Sequence, residues 1–76
     1  MKMFSVRDIK AEGYNTPFFQ PTFGLAERAF KDACQDEKNT MSHHKEDFSL
    51  FYHGEFDINS GVFRAEDAPK HVCDAV

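Results

Sequence analysis

Apolar and polar residues alternate most regularly from Phe48 to Asp57, with Phe48, Leu50, Tyr52, Gly54 and Phe56 on one parity and Ser49, Phe51, His53, Glu55 and Asp57 on the other. A period of two places each set on its own side of a strand, and the even set is the core side. Met1 to Asp8 alternates in the same way, Phe4 and Val6 against Met3, Ser5 and Arg7, and predicts a first strand. Between the two the period lengthens. Leu25, Ala26, Ala29, Phe30, Ala33 and Cys34 recur at i, i+1, i+4, i+5, i+8 and i+9, the apolar stripe of a helix, and Thr22 stands where its N-cap belongs. On the opposite face Glu27 with Lys31 and Arg28 with Asp32 lie four apart and predict solvated ion pairs.

The remaining segments punctuate. From Ile9 to Pro21, Gly13, Asn15, Pro17 and Pro21 break any helix, while Tyr14, Phe18 and Phe19 make the segment apolar for a loop. Such a loop must pack, either over the domain's own core or against a partner. Asp36 to Glu46 is polar and aperiodic, a loop. Asp57 to Gly61 offers side-chain acceptors and a glycine suited to a left-handed conformation, so Val62 to Ala65 should fold back as a hairpin partner. Glu66 to Pro69 turns the chain again, leaving His71 to Val76 as either a short edge strand or a frayed tail. The expected fold is α+β: one domain over residues 1–76, in β-α-β-β order. One helix packs on one face of a three- to four-stranded, mostly antiparallel sheet.

Size and composition sharpen this picture. Seventy-six residues and 8.8 kDa hold one small core, and nine phenylalanines against two leucines and two isoleucines make that core aromatic. Domains this small usually lean on a metal, disulfides or a partner subunit, and a homodimer is the expectation here. Cys34 and Cys73 lack CxxC spacing and are too few for a disulfide framework, so both read as reduced thiols. The longest charge-free stretch, Gly13 to Ala26, is broken by prolines and polar residues; no membrane span and no signal peptide is expected, and the setting is cytoplasmic. A net charge of -4 argues against sequence-blind duplex binding, so any basic face must be local.

A single helix covers a single sheet face. The other face, with Ser5, Arg7, Phe51 and His53 and either Phe63 or Arg64 depending on register, has no cover within the chain. A second copy of the protein would cover it, and so would unstacked bases lying on its aromatics. Catalytic and metal readings are weaker. His43, His44, Glu46, Asp47 and His53 lack the spacing of a ligand set and read as solvated. Asp57, Asn59 and Gly61 open like a calcium loop, yet Ala68 stands where its bidentate glutamate belongs. Glu55 and Asp57 share a parity but have no pocket, and no P-loop, GxGxxG or GxSxG occurs, so no enzyme, metal or cofactor is expected.

The opening MKMFSVRDIKAEGY, the segment PFFQPT leading into a helix with AFKDA, and EDFSLFYHGEFDINSG together resemble the small nonstructural protein of the Microviridae, single-stranded DNA phages, especially their gokushovirus branch. The resemblance extends to about Gly61. It implies a DNA-binding accessory role in viral genome replication or in the switch to single-strand synthesis and packaging, in the host cytoplasm, and it brings no catalytic residues. On the uncovered face such binding would use Phe51 as a stacking platform, Lys2, Arg7 and Arg64 as phosphate contacts, and Tyr14 and Phe19 from the loop. The alternative class is a protein interaction module that grips a phage or host protein without nucleic acid, which the acidic balance favours.

Overall fold

The computed structural model describes residues 1–76 as five strands and one helix: β1 (Lys2–Asp8), β2 (Gly13–Tyr14), β3 (Phe18–Gln20), α1 (Phe23–Gln35), β4 (Phe48–Phe56) and β5 (Phe63–Asp74). Every pairing is antiparallel, in the order β2-β1-β4-β5, and β3 joins β1 along the same edge as β2. The expected α+β architecture is present, with two more strands than the sequence pattern announced. Both come from the apolar loop. Asp8 accepts from the Lys10 and Ala11 amides, Glu12 takes a positive φ of 57°, and the chain returns as Gly13–Tyr14 beside Arg7 and Asp8. At Asn15–Pro17 it leaves the ladder, held by one bond from the Asn15 amide to the Val6 carbonyl, and rejoins at Phe18–Gln20. Pro17 has no amide to donate, which is why the edge splits in two.

α1 begins at the predicted cap, where the Leu25 amide donates to Thr22 Oγ1 at 3.1 Å. Ala26, Phe30 and Cys34 are buried, one residue per turn of the predicted stripe. They meet Phe4, Val6, Phe48, Leu50 and Tyr52 from the sheet, with Ala75 closing one end and Phe18 packed against the cluster. Phe18 therefore covers the domain's own core. The expected helix ion pairs do not form; Lys31 instead donates to the Asp74 carbonyl at 2.7 Å, tying α1 to β5. Long lysine stems favour a fixed backbone acceptor over a mobile carboxylate in full solvent. The segment after the helix is also more ordered than its composition suggested, forming 3-10 turns at Thr40–His43 and Lys45–Asp47. Asn39 starts the first by accepting from the Met41 amide.

β5 resolves the open reading of the C-terminal segment as an edge strand. It runs the full length from Phe63 to Asp74, and Glu66–Pro69 is a bulge in it rather than a turn out of the sheet: Lys70 pairs with Tyr52 and Ala65 with Gly54, leaving the residues between them opposite His53 alone. The hairpin joining β4 to β5 is as read from the sequence. Asp57 accepts from the Asn59 and Ser60 amides, and Gly61 has φ 76°.

The register of β4 breaks once more, and that break organises the molecule. Phe4 pairs with Tyr52 but Met3 pairs with Gly54, so His53 is an extra residue on β4. Inserting one residue exchanges the faces beyond it. Before the bulge, Phe48, Leu50 and Tyr52 face the helix; after it, Glu55 faces the helix and Gly54 and Phe56 face away. Gly54 has φ 155°, and a Cβ there would overlap the Arg64 carbonyl oxygen and lie 2.9 Å from the Ala65 Cα and from the Phe63 ring. Replacing Gly54 with alanine is expected to destabilise the fold by about 2–4 kcal/mol, since neither the backbone conformation nor the close approach admits a side chain. A urea denaturation midpoint unchanged from wild type would show that the bulge does not require glycine.

Candidate nucleic-acid interface

Opposite α1 the sheet is bare. Strand register places Met3, Ser5 and Arg7 of β1, Tyr14 of β2, Phe19 of β3, Ser49, Phe51, His53 and Phe56 of β4, and Phe63, His71 and Asp74 of β5 on this face. Its aromatic rings fall into two groups. In the first, Tyr14 meets Phe51 edge-on at 5.5 Å between centroids and His53 at 5.4 Å, and Phe51 meets His71 at 5.5 Å. The Arg7 guanidinium lies 5.4 Å from the centre of the Tyr14 ring, a cation–π contact. In the second, Phe19 and Phe56 are 5.9 Å apart, and Phe63 lies over Gly54 beside them. Tyr14, Phe19 and Phe63 stay 42, 45 and 39% exposed. Edge-to-face contacts hold the rings of the first group and a tilted contact holds Phe19 on Phe56, and Tyr14 and Phe19 keep part of their rings in solvent.

Of the residues nominated from sequence, the structure brings Arg7, Tyr14, Phe19 and Phe51 together on this face and takes Lys2 and Arg64 off it. Lys2 sits on the helix side, its Nζ 2.6 Å from Glu55 Oε1 and 5.2 Å from the Phe23 ring centre. Arg64 pairs with Glu55 in register and so shares that side. Lys2 has the parity of Phe4 and Val6, whereas Glu55, which parity had put on the open face, joins it because of the extra residue at His53. Its carboxyl is held below the ordinary range chiefly by the bond from Lys2, whose ammonium is raised in turn. Phe63, the alternative to Arg64 in the sequence reading, belongs to the face, as do Phe56 and His71, which were not singled out. The glycine at position 54, breaking an otherwise apolar even series, was the signal for Phe56.

Charge on this face is sparse. Among the residues that register places there, Asp74 alone is acidic. Its carboxylate accepts from Ser49 Oγ at 2.7 Å and lies 2.7 Å from His71 Nε2, contacts that hold its pKa down. At the centre, Ser5 is 1% exposed and its Oγ is 2.5 Å from His53 Nε2. Burial lowers the His53 pKa from its ordinary 6.5.

Elsewhere the ligating atoms of His44, Glu46 and Asp47 lie within 4.8 Å of one another on a solvated turn, and these are the residues able to hold a divalent cation. His43 turns away to the Glu37 carbonyl. Cys34 and Cys73 are free thiols, and burial pushes both pKa values up, which keeps the nucleophilic thiolate scarce. No helix is long and apolar enough to cross a membrane.

A small α+β domain with one covered and one bare, aromatic sheet face is thus what the chain builds. Comparison with known families matches all of residues 1–76 to the family described as phage ORF5 protein, and the chain belongs to that family. No curated protein and no solved structure matches it.

Because the unfolded chain protonates His53 before the folded one does, its contribution to stability is complete above about pH 6.5 and is lost as the pH falls through the lowered folded value. Thermal melts from about pH 7.5 to about pH 5 should show a fall that the His53→Gln variant, which keeps a hydrogen-bonding partner for Ser5 but does not titrate, shows less of. Parallel curves for the two proteins would refute this.

Proposed function

We propose that this phage protein is a nonenzymatic accessory factor that binds single-stranded DNA on its bare sheet face, acting in the host cytoplasm in genome replication or in the switch to single-strand synthesis and packaging. The observation that carries the reading is the aromatic face itself: Tyr14, Phe51 and the rings around them, uncovered by any element of the chain, with the Arg7 guanidinium among them. Every base has a π-face, so such a surface takes unpaired strands without a sequence code, at about 1–3 kcal/mol per stacked base. A duplex hides those faces. The resemblance to the Microviridae nonstructural protein supports DNA as the nucleic acid and the replication setting, and phage family membership agrees with it.

Arg7 is the only lysine or arginine that register places on this face, which makes stacking the larger contribution and the electrostatic part small. Anisotropy titration of a labelled single-stranded oligonucleotide should give saturable binding with a shallow salt dependence, log K falling by about 0.7 per phosphate contact for each decade of salt. Phe51→Ala and Tyr14→Ala should each weaken it by about 5- to 100-fold. Absence of binding at low salt by folded protein would overturn the reading.

A second reading is favoured by the same scarcity of cations. Aromatic surfaces depleted of charge are also what protein interfaces are made of, so the face would then join two copies into a homodimer or grip a phage or host protein. Light scattering separates the two, because Phe51→Glu would dissociate a dimer built on this face.

A further inference from the structure

The two aromatic groups of the bare face stand at different points along β1. Tyr14 pairs with Arg7 and Phe19 pairs with Met3, so four residues of β1 separate them, about 13 Å at strand rise. Between them stand only half-buried rings, Phe51 opposite Ser5 and the extra residue His53, both against Tyr14. Ser5 and His53 are joined to each other there, apart from the Ser49–Asp74–His71 group near the end of β5. We infer, resting on the reading of this face as a single-strand site, that it has two stacking stations and takes a unit of about three nucleotides along β1, the outer two bases stacked and the middle one over Ser5–His53.

Three observations carry this. Each station has an exposed ring braced by a less exposed one, Tyr14 by Phe51 and Phe19 by Phe56, so each presents a fixed platform. The backbone offset of about 13 Å along β1 exceeds the few ångströms between bases stacked directly on each other, so in this arrangement the strand extends between the stations. The charge on the face also suits a polyanion. In a chain of net charge -4, Arg7 stands at one station, Glu55 is turned to the other side of the sheet, and the Asp74 carboxylate is occupied by Ser49 and His71.

The test is a length series of oligothymidylates, from two to eight nucleotides, titrated against wild-type protein and against Tyr14→Ala and Phe19→Ala. Affinity should rise by about tenfold or more between two and four nucleotides and then level off, as the second station is engaged. Either substitution should remove that rise and cost the octamer at least about fivefold, while changing dinucleotide binding by no more than about twofold, because the surviving station still serves it. Circular dichroism confirms that both variants fold; both replace exposed side chains. Binding that grows smoothly with length, or an octamer indifferent to Phe19→Ala, would overturn the two-station arrangement and leave DNA binding standing. No binding at any length would overturn both.

Discussion

Everything distinctive about this sheet follows from one inserted residue. His53 has no partner on β1, and from Gly54 onward the two faces of β4 exchange. Without the insertion, Phe56 would extend the core side and Glu55 would stand among the aromatics of the bare face. With it, the carboxylate meets Lys2 beside Phe23 and Tyr52, and Phe56 meets Phe19. A β-bulge therefore does two things: it turns Glu55 to the helix side and brings Phe56, with its partner Phe63, to the other. It also explains the composition locally, since the strand on the far side approaches so closely that only glycine fits.

Nine phenylalanines serve both faces, and the division between them is structural rather than compositional. Phe4, Phe30 and Phe48 are buried in the core; Phe4 also packs against Phe18, Phe23 and Tyr52 at 5.6 to 5.9 Å, each such pair adding about 0.5–1.5 kcal/mol beyond its buried area. Phe19, Phe51, Phe56 and Phe63 are placed by register on the uncovered side. For a domain with so few aliphatics, moving four large rings out of the core is a loss of burial that the folding of this chain does not explain. A surface that gains from them does. The edges of the sheet carry the opposite design. β2 and β3 are short and split by Pro17, and β5 is bulged at Glu66–Pro69 and Val72, so neither rim offers a long flat template for strand addition.

Much of this was legible in the sequence. The helix, its Thr22 cap, strands β1 and β4, the Asp57–Gly61 turn and the existence of an uncovered face all follow from periodicity and turn chemistry, which are local; the full length of β5 does not, because its bulge at Glu66–Pro69 reads as a turn. What periodicity could not show is where a period breaks. A regular alternation from Phe48 to Asp57 carries no mark of the bulge except Gly54, so Glu55 and Phe56 were assigned to the wrong sides and Arg64 was nominated for a face it does not reach; Lys2 shares the parity of Phe4 and Val6, which sets it on the helix side without the bulge. The loop strands were hidden differently. Gly13–Tyr14 and Phe18–Gln20 are too short to show a period, and only pairing with β1 makes them strands. Within the candidate site, Phe51, Tyr14, Phe19 and Arg7 converge because three of them come from segments that β1 aligns, a long-range fact that no window of sequence contains.

The acidic balance of the chain reads differently once charge is located. Carboxylates are spread over the helix, the turns and the helix side of the sheet, and several are engaged there: Glu55 by Lys2 and the N-terminal amine, Asp57 by the amides of its own turn, Glu66 by Lys70. On the bare face the one acidic residue set by register is bound by a hydroxyl and an imidazole. Net charge is a sum over a surface about 22 Å across at its middle dimension, whereas a strand lying on the sheet feels chiefly charges within a Debye length of about 10 Å. For the proposed single-strand partner, an overall charge of -4 would therefore slow approach more than it would weaken contact on this face. For the proposed single-strand site, stacking, which salt does not screen, is therefore the larger contribution.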